Sequence, residues 1–269
     1  MKIRPINILL IVLLIIVGFW RTSLWLTPQA EKTAYIMGSP VRVKIEGPNA
    51  PQLANQALAE IRRLDELFST YKPQSEISRL NAEAKGINIL LSDDTNRILA
   101  DSIRISNLTN GAFNIYLKNG IDLGGIGKGY ALESARTRLM KLGAKSGIID
   151  MRSSVVVFGA GSWEVGVQHP RDKGKLLGEV TLTGGQSLST SGDYERGQHI
   201  VDPRTGKPAK LCQSVTVIGT NAAETDALST AIFVLGPTEG MALANKLGVQ
   251  VLIVDQEGKI YDNFGFKLW

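Results

Sequence analysis

Cysteine occurs once and histidine twice in 269 residues, and each shortage excludes a class of chemistry. Cys212 alone can form no internal disulfide and no cysteine-built metal site, and two histidines are too few for a His-rich zinc centre. Oxygen ligands are the expected kind for any metal. Internal repeats, low-complexity tracts and obvious linkers are also missing after residue 30. A chain of this length with 43% hydrophobic residues is therefore expected to form one large domain or two closely packed ones. Basic excess is scarcer than the net charge of +5 suggests. Lys2, Arg4 and Arg21 precede residue 27 with no acid among them, which leaves +2 for the remainder and no nucleic-acid footprint.

What the sequence does have begins with an unbroken apolar run from Ile8 to Trp20 behind Lys2 and Arg4. Ile6 to Leu26 spans 21 residues, roughly 31 Å as a helix, enough for a hydrocarbon core of about 30 Å with Arg21 snorkelling. The following RTSLWLT offers no small-x-small cleavage site, and Pro28 spoils the one at Ala30. Residues 1–30 are thus read as an uncleaved signal anchor rather than a removable signal peptide. The N-terminus is expected in the cytoplasm and residues 31–269 on the extracytoplasmic side of the cell membrane.

Residues 33–46 alternate as two short strands broken at Gly38 and Pro40, and a helix is predicted from about Pro51 to Tyr71. Ser75 can cap a short helix, and a further one should run from Asp93 to Leu108. From Gly147 the texture is β and reads as an antiparallel sheet. Helices return at Ala222 to Leu235 and Pro237 to Leu247, and a hairpin around Gln256-Glu257-Gly258 closes the chain. The fold class is α+β, mixed helices with a largely antiparallel sheet, in one compact unit or two lobes.

The chain reads as organised around Ile121 to Ala135, IDLGGIGKGYALESA, where a carboxylate and a glycine-rich turn run into a helix carrying Tyr130, Ala131, Leu132, Ala135, Leu139 and Leu142 and ending at Gly143. Glycines admit close approach of a ligand, and free N–H groups at a helix start favour anionic oxygens. The P-loop pattern does not fit, because Gly129 follows Lys128 and Asp122 stands where its first Gly belongs. The dinucleotide pattern fails at Tyr130. Further on, Asp226 and Thr230 lie four apart on one helix face with Ser229 beside them, a carboxylate and a hydroxyl able to hold Mg²⁺ with waters and phosphates. On its own such a pair is as ordinary as a cap on a solvated face, and Asp226 is expected to be exposed. Ser189 to Ala209 is dense in polar groups and includes His199, which suggests a polar pocket without naming its ligand.

Six ordered motifs then carry a resemblance: MGS (Met37 to Ser39), FSTYKPQSEISRLN, GAFN (Gly111 to Asn114), DLGGIGKGYALE, TSGDYERGQHIVDPRTGKP and TDALSTAIFVLG. Together they resemble the FAD:protein FMN transferase family, the ApbE family, over nearly all of residues 33–255. The resemblance implies an ApbE-like fold and protein flavinylation. FMN would pass from FAD, with Mg²⁺, to a Thr or Ser hydroxyl of an exported or membrane acceptor protein, releasing AMP. It implies that Met37, Tyr71, Ala112, Phe113, Asn114, Asp122, Lys128, His199, Ile200 and Ser229 line the flavin nucleotide site. Asp226, Thr230 and the Gly125 carbonyl would hold the metal, and His199, Lys128 and Asp226 would serve the chemistry. Three departures stand out: Asn114 where the family usually has Asp, a connection cut to Ile115–Ile121, and Arg152-Ser153-Ser154 where a Gly-Gly pair is usual. Two other readings fit the same motifs, a catalytically weak FAD-binding or flavin-carrier protein and a metal-dependent FAD hydrolase.

Overall fold

The computed structural model describes residues 28–82, 89–194 and 199–269. The expected anchor, Ile6 to Leu26, lies outside them. Two antiparallel strands, β1 (Gln29–Ile36) and β2 (Ser39–Glu46), form a hairpin whose two-residue loop, Met37-Gly38, has positive φ at both positions. Pro40 sits inside β2 rather than at its break, and is tolerated because pairing of β2 with the next strand begins only at Arg42.

Helix α1 (Ala50–Phe68) ends where Ser69 turns extended, three residues short of the expected Tyr71. Helix α2 (Glu76–Ala82) is capped by Ser75, whose Oγ accepts from Ser78 N at 2.9 Å. Helix α3 (Asp93–Leu108) is capped by Ser92. A small hairpin, β3 (Tyr116–Leu117) and β4 (Gly120–Ile121), precedes helix α4 (Gly127–Lys141). Leu142 closes α4 but is exposed, because the helix has already turned its apolar face away.

The β-rich half contributes β5 (Ser146–Asp150), β6 (Ser154–Gly159), the hairpin β7 (Ser162–Gln168) and β8 (Leu176–Thr183), β9 (Ser187–Gly192), the short pair β10 (Val201–Asp202) and β11 (Lys207–Pro208), and β12 (Cys212–Gly219). Helix α5 (Ala222–Leu247) follows, broken at Gly236 (φ 77°) before Pro237, and β13 (Gln250–Asp255) and β14 (Ile260–Asp262) close the chain. One eight-stranded sheet results, in the order β1-β2-β5-β6-β9-β12-β13-β14, antiparallel at every pairing.

The central strands are apolar on both faces, which explains runs such as Val155-Val156-Val157-Phe158. Val156 and Phe158 join the core under α1, α4 and α5, while Val155 and Val157 meet the β7–β8 hairpin, Leu188 and Ile218 on the opposite face. Among the described residues α5 is the one helix long and apolar enough to cross a membrane, and its buried residues pack on β9 and β12. Cys212 is buried, and the loss of water pushes its thiol up to about 12.

A polar network ties the helices together. Buried Glu60 of α1 accepts from Arg63 Nη2 at 2.6 Å and from Ser134 Oγ of α4 at 2.7 Å, and Arg63 also reaches Asp94 of α3 at 2.8 Å. The Arg63 hydrogen bond, opposed by burial, holds the Glu60 carboxyl below its usual range of about 4.5. A depressed folded value means that this stabilisation is present above about pH 4.5 and is lost as pH falls through the folded value. Glu60→Gln should therefore cost about 1–3 kcal/mol near neutral pH, with the gap to wild type closing below about pH 4.5. Denaturant titrations at several pH values check this. A gap that stays constant with pH would locate the effect outside the carboxylate's charge.

Candidate active site

The glycine-rich turn is built by its own backbone. Gly124 N donates to Asp122 Oδ1 at 2.7 Å, and Ile126 N and Gly127 N both donate to Leu123 O, at 3.0 and 2.7 Å. Helix α4 starts without a side-chain cap of its own. Its missing acceptor arrives from α5: Gly129 N donates to Asp226 Oδ2 at 2.9 Å. The helix start therefore presents fewer bare N–H groups to an anion than its sequence implies, since Gly127, Gly129 and Tyr130 all donate within the protein.

Asp226 is buried at 5% exposure, not on a solvated face as expected. Burial dominates its titration and raises its pKa, against the opposing pull of Lys128, the Gly129 N–H and the Ser154 hydroxyl, whose Oγ donates to Oδ1 at 3.2 Å. The reason lies in the sheet. Ser187, Ser189 and Ser191 of β9 share one face by their spacing of two. Ser187 Oγ meets Thr225 Oγ1 at 2.9 Å, and Ser191 Oγ meets Ser229 Oγ at 2.8 Å and Thr230 Oγ1 at 3.1 Å. A seam of oxygens thus runs between the sheet and α5. Ser189, paired with Ser154 across the strands, contributes the one buried side-chain oxygen among the described residues that has no partner.

Twelve of the thirteen residues singled out from the sequence line a single cavity of about 1120 Å³, roomy for a ligand of dinucleotide size. Met37 comes from the β1–β2 loop, and Tyr71, at 92% exposure, stands at the rim beyond α1. Ala112 and Phe113 are buried in its wall, and the Asn114 side chain turns back to accept Tyr116 N at 2.9 Å. Asp122, Gly125, Lys128, His199, Ile200, Asp226 and Thr230 complete the set. Ser229 does not line the cavity: it is fully buried, donates to Asp226 O at 2.8 Å and stands behind the wall. Just after His199, the Asp202 carboxylate takes both Nε and Nη2 of Arg204 at 2.9 Å. Residues 195–198, just before His199, lie outside the described residues.

A cation here would meet a donor set of one kind. Among the described residues no three His, Cys, Asp or Glu side chains cluster, so one carboxylate and neutral oxygens are what is offered. A Cβ at Gly125 would come within 3.0 Å of Thr230 Oγ1 and 3.3 Å of the Phe113 ring, so the glycine brings its backbone against the Thr230 hydroxyl beside Asp226. This set fits a hard cation such as Mg²⁺ that keeps waters and phosphate oxygens, and suits Ca²⁺ poorly.

The sequence shows Arg152-Ser153-Ser154, the turn between β5 and β6, as a departure but assigns its residues no role. Lys128 Nζ donates to Ser153 Oγ, and Ser154 holds Asp226. Nothing local marks these serines, because their roles depend on pairing of β6 with β9 and on α5 crossing both.

The family model described as "ApbE family" matches residues 37–119 and 117–253. Its two segments meet at the tip of the β3–β4 hairpin. The FAD:protein FMN transferase of Rhodobacter capsulatus is 35% identical over 153 residues, covering 52% of this chain and 29% of that protein, so the matched stretch is under a third of that relative's length. The FAD:protein FMN transferase of Escherichia coli K12 is 25% identical over 301 aligned positions, covering 87% and 84%. The crystal structure of the ApbE protein of Thermotoga maritima superposes with a TM-score of 0.81 at 25% identity, covering 88% of this chain and 97% of that one.

Proposed function

The chain belongs to the ApbE family, and from that membership we propose that it transfers FMN from FAD to a Thr or Ser hydroxyl of an acceptor protein, with Mg²⁺, releasing AMP. The observation that supports this most is the convergence of Asp226, Thr230, Gly125 and Lys128, from two distant helix starts, on one cavity of dinucleotide size. Asp226, Thr230 and the Gly125 carbonyl would hold the metal. When bound, Mg²⁺ supplies charge neutralisation at the diphosphate.

The acceptor oxygen forms a new bond to the FMN phosphorus while the bridging P–O bond breaks and its electron pair leaves with AMP; the hydroxyl proton passes to His199. Such transfers depend chiefly on positioning and electrostatics. Lys128, steadied by Ser153, adds positive charge beside the reacting phosphates. Burial of Asp226 keeps its charge poorly screened and so effective toward a cation. Asn114 supplies no carboxylate. Its Oδ1 serves Tyr116 N, a role that Asp would fill equally. The acceptor is read as an exported or membrane protein, and Ile6 to Leu26 as the anchor that holds the transferase beside it.

Incubating the full chain with FAD, Mg²⁺ and candidate acceptors, and measuring AMP together with covalent flavin on the acceptor, tests the reading. Equal amounts of AMP and bound flavin are expected, both abolished by chelator. AMP release at the same rate without acceptor would favour the hydrolase, and FAD binding with no AMP under any condition would favour the carrier.

A further inference from the structure

Four non-glycine residues among those described have positive φ: Met37, Asn49, Asn110 and Arg152. Asparagine tolerates that region, whereas a long side chain held there is uncommon and strained. Arg152, at φ 65°, is fixed from several sides. Its N–H donates to Asp150 Oδ1 at 2.7 Å, Met151 N donates to Ser154 O at 2.8 Å, Ser39 Oγ donates to Met151 O at 3.0 Å, and Thr190 N donates to Ser153 O at 2.7 Å. The turn cannot relax without breaking these bonds.

Three successive residues of this turn meet the cavity and its charges. Ser153 engages Lys128, Ser154 engages Asp226, and Arg152 lines the wall. Other arginines and lysines of the lining are occupied: Arg42 by Asp150 at 3.1 Å, Lys72 by Asp65 at 2.6 Å and Lys175 by Asp172 at 2.6 Å. The Arg152 guanidinium has no carboxylate or other acceptor among the described residues. A planar fork of donors left open on a cavity wall that also carries the Lys128 ammonium matches the geometry of phosphate oxygens.

We propose that Arg152 binds a phosphate oxygen of the bound nucleotide, so that the β5–β6 turn and Lys128 together form a phosphate-recognising wall. The inference rests on the nucleotide reading of the cavity. Its strain has a use in this light, since the left-handed backbone turns the side chain to the ligand while Ser153 and Ser154 keep their partners.

The test titrates the detergent-extracted full chain with FAD and with ADP, comparing wild type with Arg152→Gly, Arg152→Gln and Arg152→Lys. Loss of one charge-assisted bond should weaken both ligands about 10- to 100-fold in the Gly and Gln variants. Lys should recover a large part of it. Thermal unfolding should be unchanged or higher for Arg152→Gly, because glycine adopts this φ without strain. Wild-type affinity in the Gly and Gln variants, or a Lys variant as weak as the Gln one, would overturn the proposal while leaving the nucleotide site intact. A wild-type chain that binds neither FAD nor ADP would overturn both.

Discussion

Asp226→Asn should lower FAD-dependent transfer by about 10²- to 10³-fold, the scale expected when a preorganised electrostatic contact to the reacting group is removed, and should weaken the apparent Mg²⁺ affinity. Stability should move the other way. The amide oxygen of Asn can still accept Gly129 N–H, while the buried charge, whose desolvation raises the Asp226 pKa and opposes folding, is gone. The metal-free variant is therefore expected to unfold at or above the wild-type midpoint. Asp226→Ala separates the two roles, because it strips the acceptor from Gly129 N and Ser154 Oγ and should cost about 1–3 kcal/mol as well as activity. Rates measured across a Mg²⁺ titration, with calorimetric unfolding of each variant, check the pair. Transfer that survives Asp226→Asn with unchanged Mg²⁺ dependence would remove the metal from this carboxylate.

The burial of Asp226 also marks the limit of what the sequence could reveal. Local signals were enough for the helices. Ser75 announced its cap, and Gly236-Pro237 announced the break within α5. Strand texture from residue 147 onward reported an antiparallel sheet, because runs such as Val155 to Phe158 have no helical period and sit between turn residues. A pair four apart on a helix, however, says only that Asp226 and Thr230 share a face, not what covers that face. The cover is a serine stripe on β9 and a helix start nearly one hundred residues earlier, so it depends on sheet order. Ser229, which the resemblance implies at the flavin site, faces Ser191 and Asp226 O behind the cavity wall, an orientation that helix rotation and sheet order set. Motif resemblance reached most of the cavity because it carries three-dimensional information that periodicity lacks. It marked Arg152 only as a departure and gave it no role.

Gly129→Ala should be among the most damaging single methyls that can be added to the site. An ideal Cβ there would lie 2.2 Å from the Ala222 carbonyl oxygen, 2.8 Å from its carbonyl carbon and 2.6 Å from Asp226 Cβ. Two of these atoms are backbone at the start of α5, so no rotamer change relieves the clash and the helices must separate. Separation breaks the Gly129 N to Asp226 bond that caps α4 and withdraws the Gly125 turn from Thr230, so transfer should fall with stability. Alanine is the better helix former by about 1 kcal/mol, but overpacking against backbone costs about 3 kcal/mol or more, and the clash wins. Gly127→Ala is the control within the same turn: its Cβ would meet nothing closer than Leu123 Cβ at 3.7 Å, so the propensity gain should survive and stability should hold or rise. Denaturant midpoints of the two variants should thus fall on opposite sides of wild type. Gly129→Ala as stable as Gly127→Ala would show that the spacing of α4 and α5 is set elsewhere, and that the capping carboxylate is not what holds the two halves of the site together.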